Sequence, residues 1–243
     1  MSINYRPDID GLRAIAVVSV IFYHADNSIK NLKILSGGFI GVDIFFVISG
    51  FLITSIILKE LNETGAFSFK NFYKRRIKRI IPVLLLVFIT TFPFIWLFFI
   101  PISFIDFSKS LLSSLFFVSN YHFYFSGELY DAESSLLKPL MHTWSLSIEE
   151  QYYIIFPLVL TIVFKFFKNQ LFKVFLILFL ISFISMIFIF QKNESLAFVS
   201  FLARFWELLL GGITAILYSQ KKSIKDFSNA LSSPDLSSLN QSS

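Results

Sequence analysis

Arg13 and His24 close the two ends of RAIAVVSVIFYH, and the ten residues between them are uncharged and mostly apolar. Eleven steps at about 100° per residue come to about 1100°, within roughly 20° of three turns, so on a helix the two side chains share one face. At about 1.5 Å rise per residue they stand on the order of 16 Å apart, less than the roughly 30 Å hydrocarbon core of a bilayer. In a spanning helix at least one of them lies at membrane depth. Further ionisable residues interrupt apolar runs: Asp43 in GVDIFFVISGF, Glu149 and Glu150 in HTWSLSIEEQYYIIFPL, Arg204 and Glu207 in FLARFWELLLGG. Arg76 and Arg79 share a helix face at the entry of another run and can grip a phosphate, or simply anchor the helix at the membrane surface. An imidazole with acids near it and cationic helix ends suits general-base activation of a hydroxyl, with arginines holding an anionic donor.

Other chemistries find no residues. The chain has no Cys, which removes disulfides, thiolate metal sites and a cysteine nucleophile. His24, His122 and His142 lack the close spacing of a helical zinc site, so no metal is expected. No Gly-rich phosphate loop precedes a Lys and Ser or Thr, and no basic, aromatic-interleaved surface suggests nucleic acid. With 55% hydrophobic residues, 33 Phe and only 15% charged residues in 243, the chain carries more apolar surface than a soluble domain of its size can cover. Membrane lipid is its expected surroundings.

The elements that would position these residues are apolar helices. The first reaches a spanning length of about 17 residues only if Arg13 and His24 are included, and it reads as a retained helix rather than a signal peptide. After a polar connector at Asp26 to Gly37 comes Gly38 to Leu58, where Gly41, Ser49 and Gly50 permit close helix packing and Asp43 should face the protein interior. Lys59, Lys70, Lys74, Arg75, Arg76, Lys78 and Arg79 make up seven of the 21 basic residues of a chain whose net charge is +5. The positive-inside rule puts this connector, and with it the N-terminus, in the cytoplasm. Spans follow at Ile80 to Ile100, from His142 to Phe164, at Leu171 to Phe190 and at Leu196 to Tyr218. Ser145 and Glu149, four apart, can meet on one face. Glu149 and Glu150 point about 100° apart, so one is expected in the site and the other at an interface. Arg204 and Glu207, three apart, can pair internally, as a structural or a functional feature.

Phe104 to Phe125 is apolar but broken by Asp106, Lys109, Asn120 and His122, and reads as a span or a re-entrant segment. If it spans, the basic stretches at 165–173 and 221–225 fall outside; if it is re-entrant, both fall inside, as the charge rule prefers. The expected fold is an all-α, polytopic transmembrane bundle of six to seven spans over 1–222, with a Ser-rich disordered tail at 223–243.

The ordered set of Arg13 and His24, GGFIGVDIFFVISGFLIT, RRIKRIIP, HTWSLSIEEQYYIIFP and RFWELLLGG resembles the membrane-bound acyltransferase-3 family over roughly residues 4 to 218. The resemblance implies a multi-pass enzyme of the bacterial inner membrane with a cytoplasmic N-terminus. Such an enzyme transfers an acyl group, often acetyl, from acyl-CoA to a hydroxyl of an extracytoplasmic glycan of the cell envelope, lipopolysaccharide included. Acyl-CoA, typically acetyl-CoA, is then a donor substrate, and no tightly bound cofactor is implied. By this likeness His24 is the catalytic base or acyl relay, with Arg13 on the same face, and Arg76 and Arg79 bind the phosphates of coenzyme A. Glu149 completes the site with Trp144 and Ser145, while Asp43, Arg204 and Glu207 line or support it. The family usually carries about ten spans, one of them near residues 104 to 125. The shorter chain here is expected either to act with a second copy or a partner supplying helices, or to be a truncated, non-catalytic relative or carrier-like binding module.

Overall fold

A computed structural model describes residues 6–28, 37–98, 101–126 and 138–231. Among these the regular elements are all helical: α1 (Pro7–Ser28), α2 (Ile40–Thr64), α3 (Phe69–Phe98), α4 (Pro101–Leu115), α5 (Ser119–Phe125), α6 (Thr143–Phe167), α7 (Leu171–Lys192), α8 (Glu194–Val199) and α9 (Phe201–Leu231). Four stretches are long and apolar enough to cross a membrane: Ile40–Thr64, Phe69–Leu97, Thr143–Lys192 and Phe201–Lys221. The third holds 50 residues and is two helices, α6 and α7, joined by one 3-10 turn at Lys168–Gln170. These four stretches hold five helices, α2, α3, α6, α7 and α9, and by length and composition alone they do not reach six to seven spans. The α1 helix carries Asp8, Asp10 and Arg13 in its first two turns, and α4 and α5, with 15 and 7 residues, are too short at about 1.5 Å per residue to cross about 30 Å.

Close approaches between helices give their directions. Gly38 packs on Ser19 and Tyr23, and Gly41 on Ala16 and Val20, so α1 and α2 are antiparallel. Phe46 meets Trp144 and Ser49 meets Glu149, which makes α2 and α6 parallel. Asp43 pairs with Arg204, Gly50 lies on Leu208 and Gly212 on Thr54, so α2 and α9 are parallel as well. Ser182 bonds the Leu202 carbonyl while Phe175 touches Gly212, so α7 and α9 are antiparallel. The C-terminal ends of α2, α6 and α9 therefore share one end of the bundle with the start of α1, where Arg6 lies over the rings of Phe51 and Tyr218 at 5.5 and 5.0 Å. The basic stretches at 59–79, 165–173 and 221–225 all gather at this end, called the basic end below.

Because α2 and α6 run the same way with only α3 crossing between them, the described segment 101–126 makes no net passage across the bundle. The family-implied span near 104–125 is replaced by two short helices, with a turn at Phe117 that takes a left-handed φ of 55°. Polar bonds hold this break. Gln151 Nε2 donates to the Phe117 carbonyl at 2.8 Å and to Asn120 Oδ1 at 3.0 Å, and Asn120 Nδ2 donates to the Val199 carbonyl at 3.0 Å. Ser114, Thr143, Ser119 and Ser147 form a buried hydroxyl chain with steps of 2.7 to 2.9 Å. A segment whose polar face is satisfied by α6 cannot also present that face to lipid.

The core runs through Ile53, Ile57, Ile148, Tyr152, Phe156, Leu160, Phe175, Leu208 and Leu209. The outward apolar surface of α3, including Leu86, Ile89, Trp96 and Leu97, is what a lipid-facing helix requires. Helix α9 continues to Leu231, nine residues into the stretch read as a disordered tail; residues 232–243 lie outside the described residues, as does most of the connector from Asp26 to Gly37, where α1 itself reaches Ser28.

Candidate functional site

The sequence-selected residues separate into two layers. Toward the basic end, Glu149 of α6 accepts a short hydrogen bond from the Ser49 hydroxyl of α2. Its charged neighbours are Arg76 and Arg79 of α3 and Arg13 of α1. The Arg76 guanidinium lies 4.7 Å above the Tyr153 ring and 5.5 Å from that of Phe72, a stack that fixes its direction. Arg13 also meets Asp10 at 3.3 Å. Two helices thus bring three guanidinium groups to one acid on a third. The reason lies between helices: α1 faces α2 through the Gly41 contact, α6 lies parallel to α2, and α3 turns back after the left-handed Gly65 cap to run antiparallel beside α6, where the Tyr73 hydroxyl donates to the Ile154 carbonyl at 3.0 Å and Arg76 stacks on Tyr153.

Glu150 departs from expectation. It is buried, not interfacial, and its Oε1 finds no hydrogen-bond partner among the described residues. Ser145 does not meet Glu149 either; its hydroxyl bonds the His142 carbonyl at 3.2 Å, and Ser49 takes the place expected for it.

Toward the opposite end, Arg204 Nη1 bonds Asp43 Oδ1 at 2.9 Å and Glu207 Oε1 at 2.6 Å, while its Nε donates to the Phe198 carbonyl at 3.1 Å. The guanidinium lies 5.0 Å from the Phe198 ring centre and 6.0 Å from that of Trp144. The α9 pair foreseen from its i, i+3 spacing is therefore a triad that ties α9 to α2. A cavity of about 990 Å3 opens beside it, with Tyr23, Asp43, Trp144, Arg204, Trp206 and Glu207 in its wall.

His24, one residue beyond Tyr23, is exposed on α1 rather than enclosed, and its electrostatic neighbour is His142 at the start of α6. Desolvation by the surrounding protein pushes the His142 imidazole below its ordinary value, a hydrogen bond to the Pro139 carbonyl opposes this, and the nearness of His24 adds to the lowering. His24 stands about three turns, on the order of 16 Å, beyond Arg13 along the helix. Among the described residues no group of three or more His, Cys, Asp and Glu is placed to hold a metal ion.

A family model described as an acyltransferase domain matches residues 6–229. The chain belongs to the acyltransferase-3 family. It is 38% identical over 233 residues to O-acetyltransferase OatA of Staphylococcus aureus (strain NCTC 8325 / PS 47), an alignment that covers 94% of this chain and 37% of that protein. It is 39% identical over 222 residues to the putative O-acetyltransferase SAS0844 of S. aureus (strain MSSA476), covering 88% and 35%. The chain thus spans little more than a third of the length of these curated relatives. No solved structure matches it.

Within this acyltransferase-3 domain, sequence reasoning missed Ser49, Tyr153 and His142. Ser49 looked like a packing residue because its partner lies 100 positions away. Tyr153 and His142 sat inside a quoted motif, but which residues of a motif face inward is set by the neighbouring helices.

Proposed function

We propose that this chain is the membrane-embedded part of an O-acetyltransferase that moves an acetyl group from acetyl-CoA to a hydroxyl of a cell-envelope saccharide. The observation that carries the reading is the spacing along α1: three arginines around Glu149 toward the basic end, and His24 near His142 about three turns beyond Arg13. Six crossings, α1, α2, α3, α6, α7 and α9, with the basic end and the N-terminus in the cytoplasm of a bacterial inner membrane, agree with the helix directions and with the charge rule.

In this reading Arg76 and Arg79, with Arg13, hold the phosphates of coenzyme A through charge-assisted hydrogen bonds, and Glu149 serves as their counter-charge and keeps them convergent. The pantetheine arm extends along α1 and brings the thioester toward His24. The His24 imidazole takes the proton of the acceptor hydroxyl as its oxygen bonds to the acetyl carbonyl carbon. The carbon–sulfur bond breaks, and coenzyme A leaves as the thiol once the proton has passed on. An exposed His24 suits an acceptor that is itself a large glycan approaching from outside. The staphylococcal relatives named as O-acetyltransferases support the acetyl group and the oxygen acceptor.

The test is transfer of labelled acetyl from acetyl-CoA to envelope glycan in membranes carrying the protein. The His24→Ala variant is expected to lose on the order of 100-fold or more in rate, the range for removing a positioned general base, at unchanged protein level. Equal labelling by both proteins would overturn the role of His24, and absence of label above a vector control would overturn the reaction.

A further inference from the structure

The start of α3 divides its cations between two faces. Arg76 turns inward onto the rings of Tyr153 and Phe72. Lys70, Lys74 and Lys78 recur every fourth residue and form a row about 12 Å long at about 1.5 Å rise per residue, with Arg75 beside it, and all four are exposed. Lys74 and Lys78 each stand two positions from Arg76, about 200° around the helix, so the row points away from the arginine layer. Among the described residues none of the four has an ion-pair partner. The acids that precede them are engaged elsewhere: Glu63 lies 4.0 Å from Lys59, and Glu60 Oε1 accepts from the Ser68 backbone amide at 2.9 Å.

The row runs on into the lipid-facing side of the same helix. α3 is one helix of 30 residues, and Leu85, Ile89 and Trp96, at i+7, i+11 and i+18 from Lys78, fall within about 20° of its direction at about 100° per residue. All three are exposed apolar side chains. From Lys78 to Trp96 the rise is about 27 Å, close to the roughly 30 Å hydrocarbon core of a bilayer, and Trp is a residue of the membrane–water boundary. With Trp96 at one boundary, Lys78 lies at the other. Lys74 and Lys70 stand about 6 and 12 Å farther out, at headgroup depth, where a lysine lays its stem along apolar surface and keeps its ammonium among the phosphates.

We propose that the outward face of α3 is a binding site for an anionic phospholipid of the leaflet at the basic end, with Lys74 and Lys78 on its phosphate and Lys70 and Arg75 flanking it. Charge complementarity selects this occupant: four cations without a protein counter-charge face outward at the depth where a bilayer holds its phosphates. A zwitterionic lipid brings its own cation and is held less. The inference stands whether or not the chain transfers acetyl groups, because it uses none of the arginines assigned to coenzyme A.

The test is native mass spectrometry of the protein released from detergent micelles doped with dioleoyl phosphatidylglycerol or dioleoyl phosphatidylcholine, the lipid that stays bound giving the relative affinity. Phosphatidylglycerol is expected to be retained in preference to phosphatidylcholine. Lys74→Gln and Lys78→Gln should each weaken its retention about fivefold, the size expected for one cation at an anionic surface. Arg76→Gln removes the same charge from the inward face and should leave retention unchanged. Equal retention of the two lipids, or parental retention in both Lys74→Gln and Lys78→Gln, would overturn the proposal. So would an equal loss in Arg76→Gln and Lys74→Gln, which would show net charge acting without a site. Displacement of phosphatidylglycerol by an equal concentration of coenzyme A would give the row to the acyl donor, and displacement by poly-glutamate would give it to an acidic protein; either result overturns the lipid site.

Discussion

Arg76 does two things at once: its plane stacks on Tyr153 and Phe72, and its charge faces Glu149. A lysine supplies the charge but neither the stack nor the fork of donors. Arg76→Ala is therefore expected to raise the KM for acetyl-CoA by about 10-fold to 100-fold, the equivalent of one or two lost hydrogen bonds to a charged group, with kcat changed much less. Arg76→Lys should recover only part of this. Steady-state kinetics at varied acetyl-CoA separates the cases, and a fall in kcat at constant KM would remove Arg76 from donor binding. The same spacing argument that grouped Arg76 with Arg79 could not tell a phosphate grip from a membrane anchor, since both need only two cations on one face. The convergence of a third arginine from α1 and an acid from α6 is information that exists only between helices.

At the scale of elements, the packing of α2 on α9 depends on two glycines. A Cβ on Gly50 would stand 1.9 Å from the Leu208 carbonyl oxygen, and one on Gly211 would stand 2.0 Å from that of Val47. Both obstacles are backbone, so no side chain can turn aside to relieve them, and the helices must separate. Gly50→Ala and Gly211→Ala should each destabilise the protein by about 1–3 kcal/mol or more, read as a lower Tm in detergent, whereas Gly11→Ala, with open space around it, should leave Tm near that of the parent. The separation would also stretch the Asp43 to Arg204 bond across the same interface. The small residues of the second helix were legible as a packing signal, and Gly41 and Gly50 have that role. Their partner was not legible, because any helix with a small face would have satisfied the pattern.

The whole molecule makes a topological prediction. Since the chain has no Cys, single introduced cysteines report sidedness without background. Ala66→Cys, Asn169→Cys and Gln220→Cys should all react from one side of the membrane, and Ser126→Cys from the other, with an impermeant maleimide on intact cells and on inverted vesicles. If Asn169→Cys and Ala66→Cys react from opposite sides, segment 101–126 crosses after all and the parallel arrangement of α2 and α6 is wrong. This arrangement also explains how the two layers of the site relate. The three arginines near Glu149 and the cavity beside Arg204 lie at different depths of one bundle, with α1 carrying Arg13 in the first layer and Tyr23, next to His24, on the cavity wall.

The sequence by itself determined the all-helical membrane class, because hydropathy and the 3.6-residue period act within a single segment. It also determined the face shared by Arg13 and His24 and the pairing of Arg204 with Glu207, which are separations along one helix. The gathering of basic stretches at one end follows from charge counts once segment 101–126 is placed. That placement needed the tertiary structure. Gln151 and Val199 satisfy the polar atoms that break the segment at Phe117 and Asn120, and neither is local to it. Only the fold could show that Glu150 is buried, that Ser49 rather than Ser145 bonds Glu149, and that Asp43 joins Arg204. Each of these depends on which face of one helix meets which face of another, and no period within a helix encodes its neighbour.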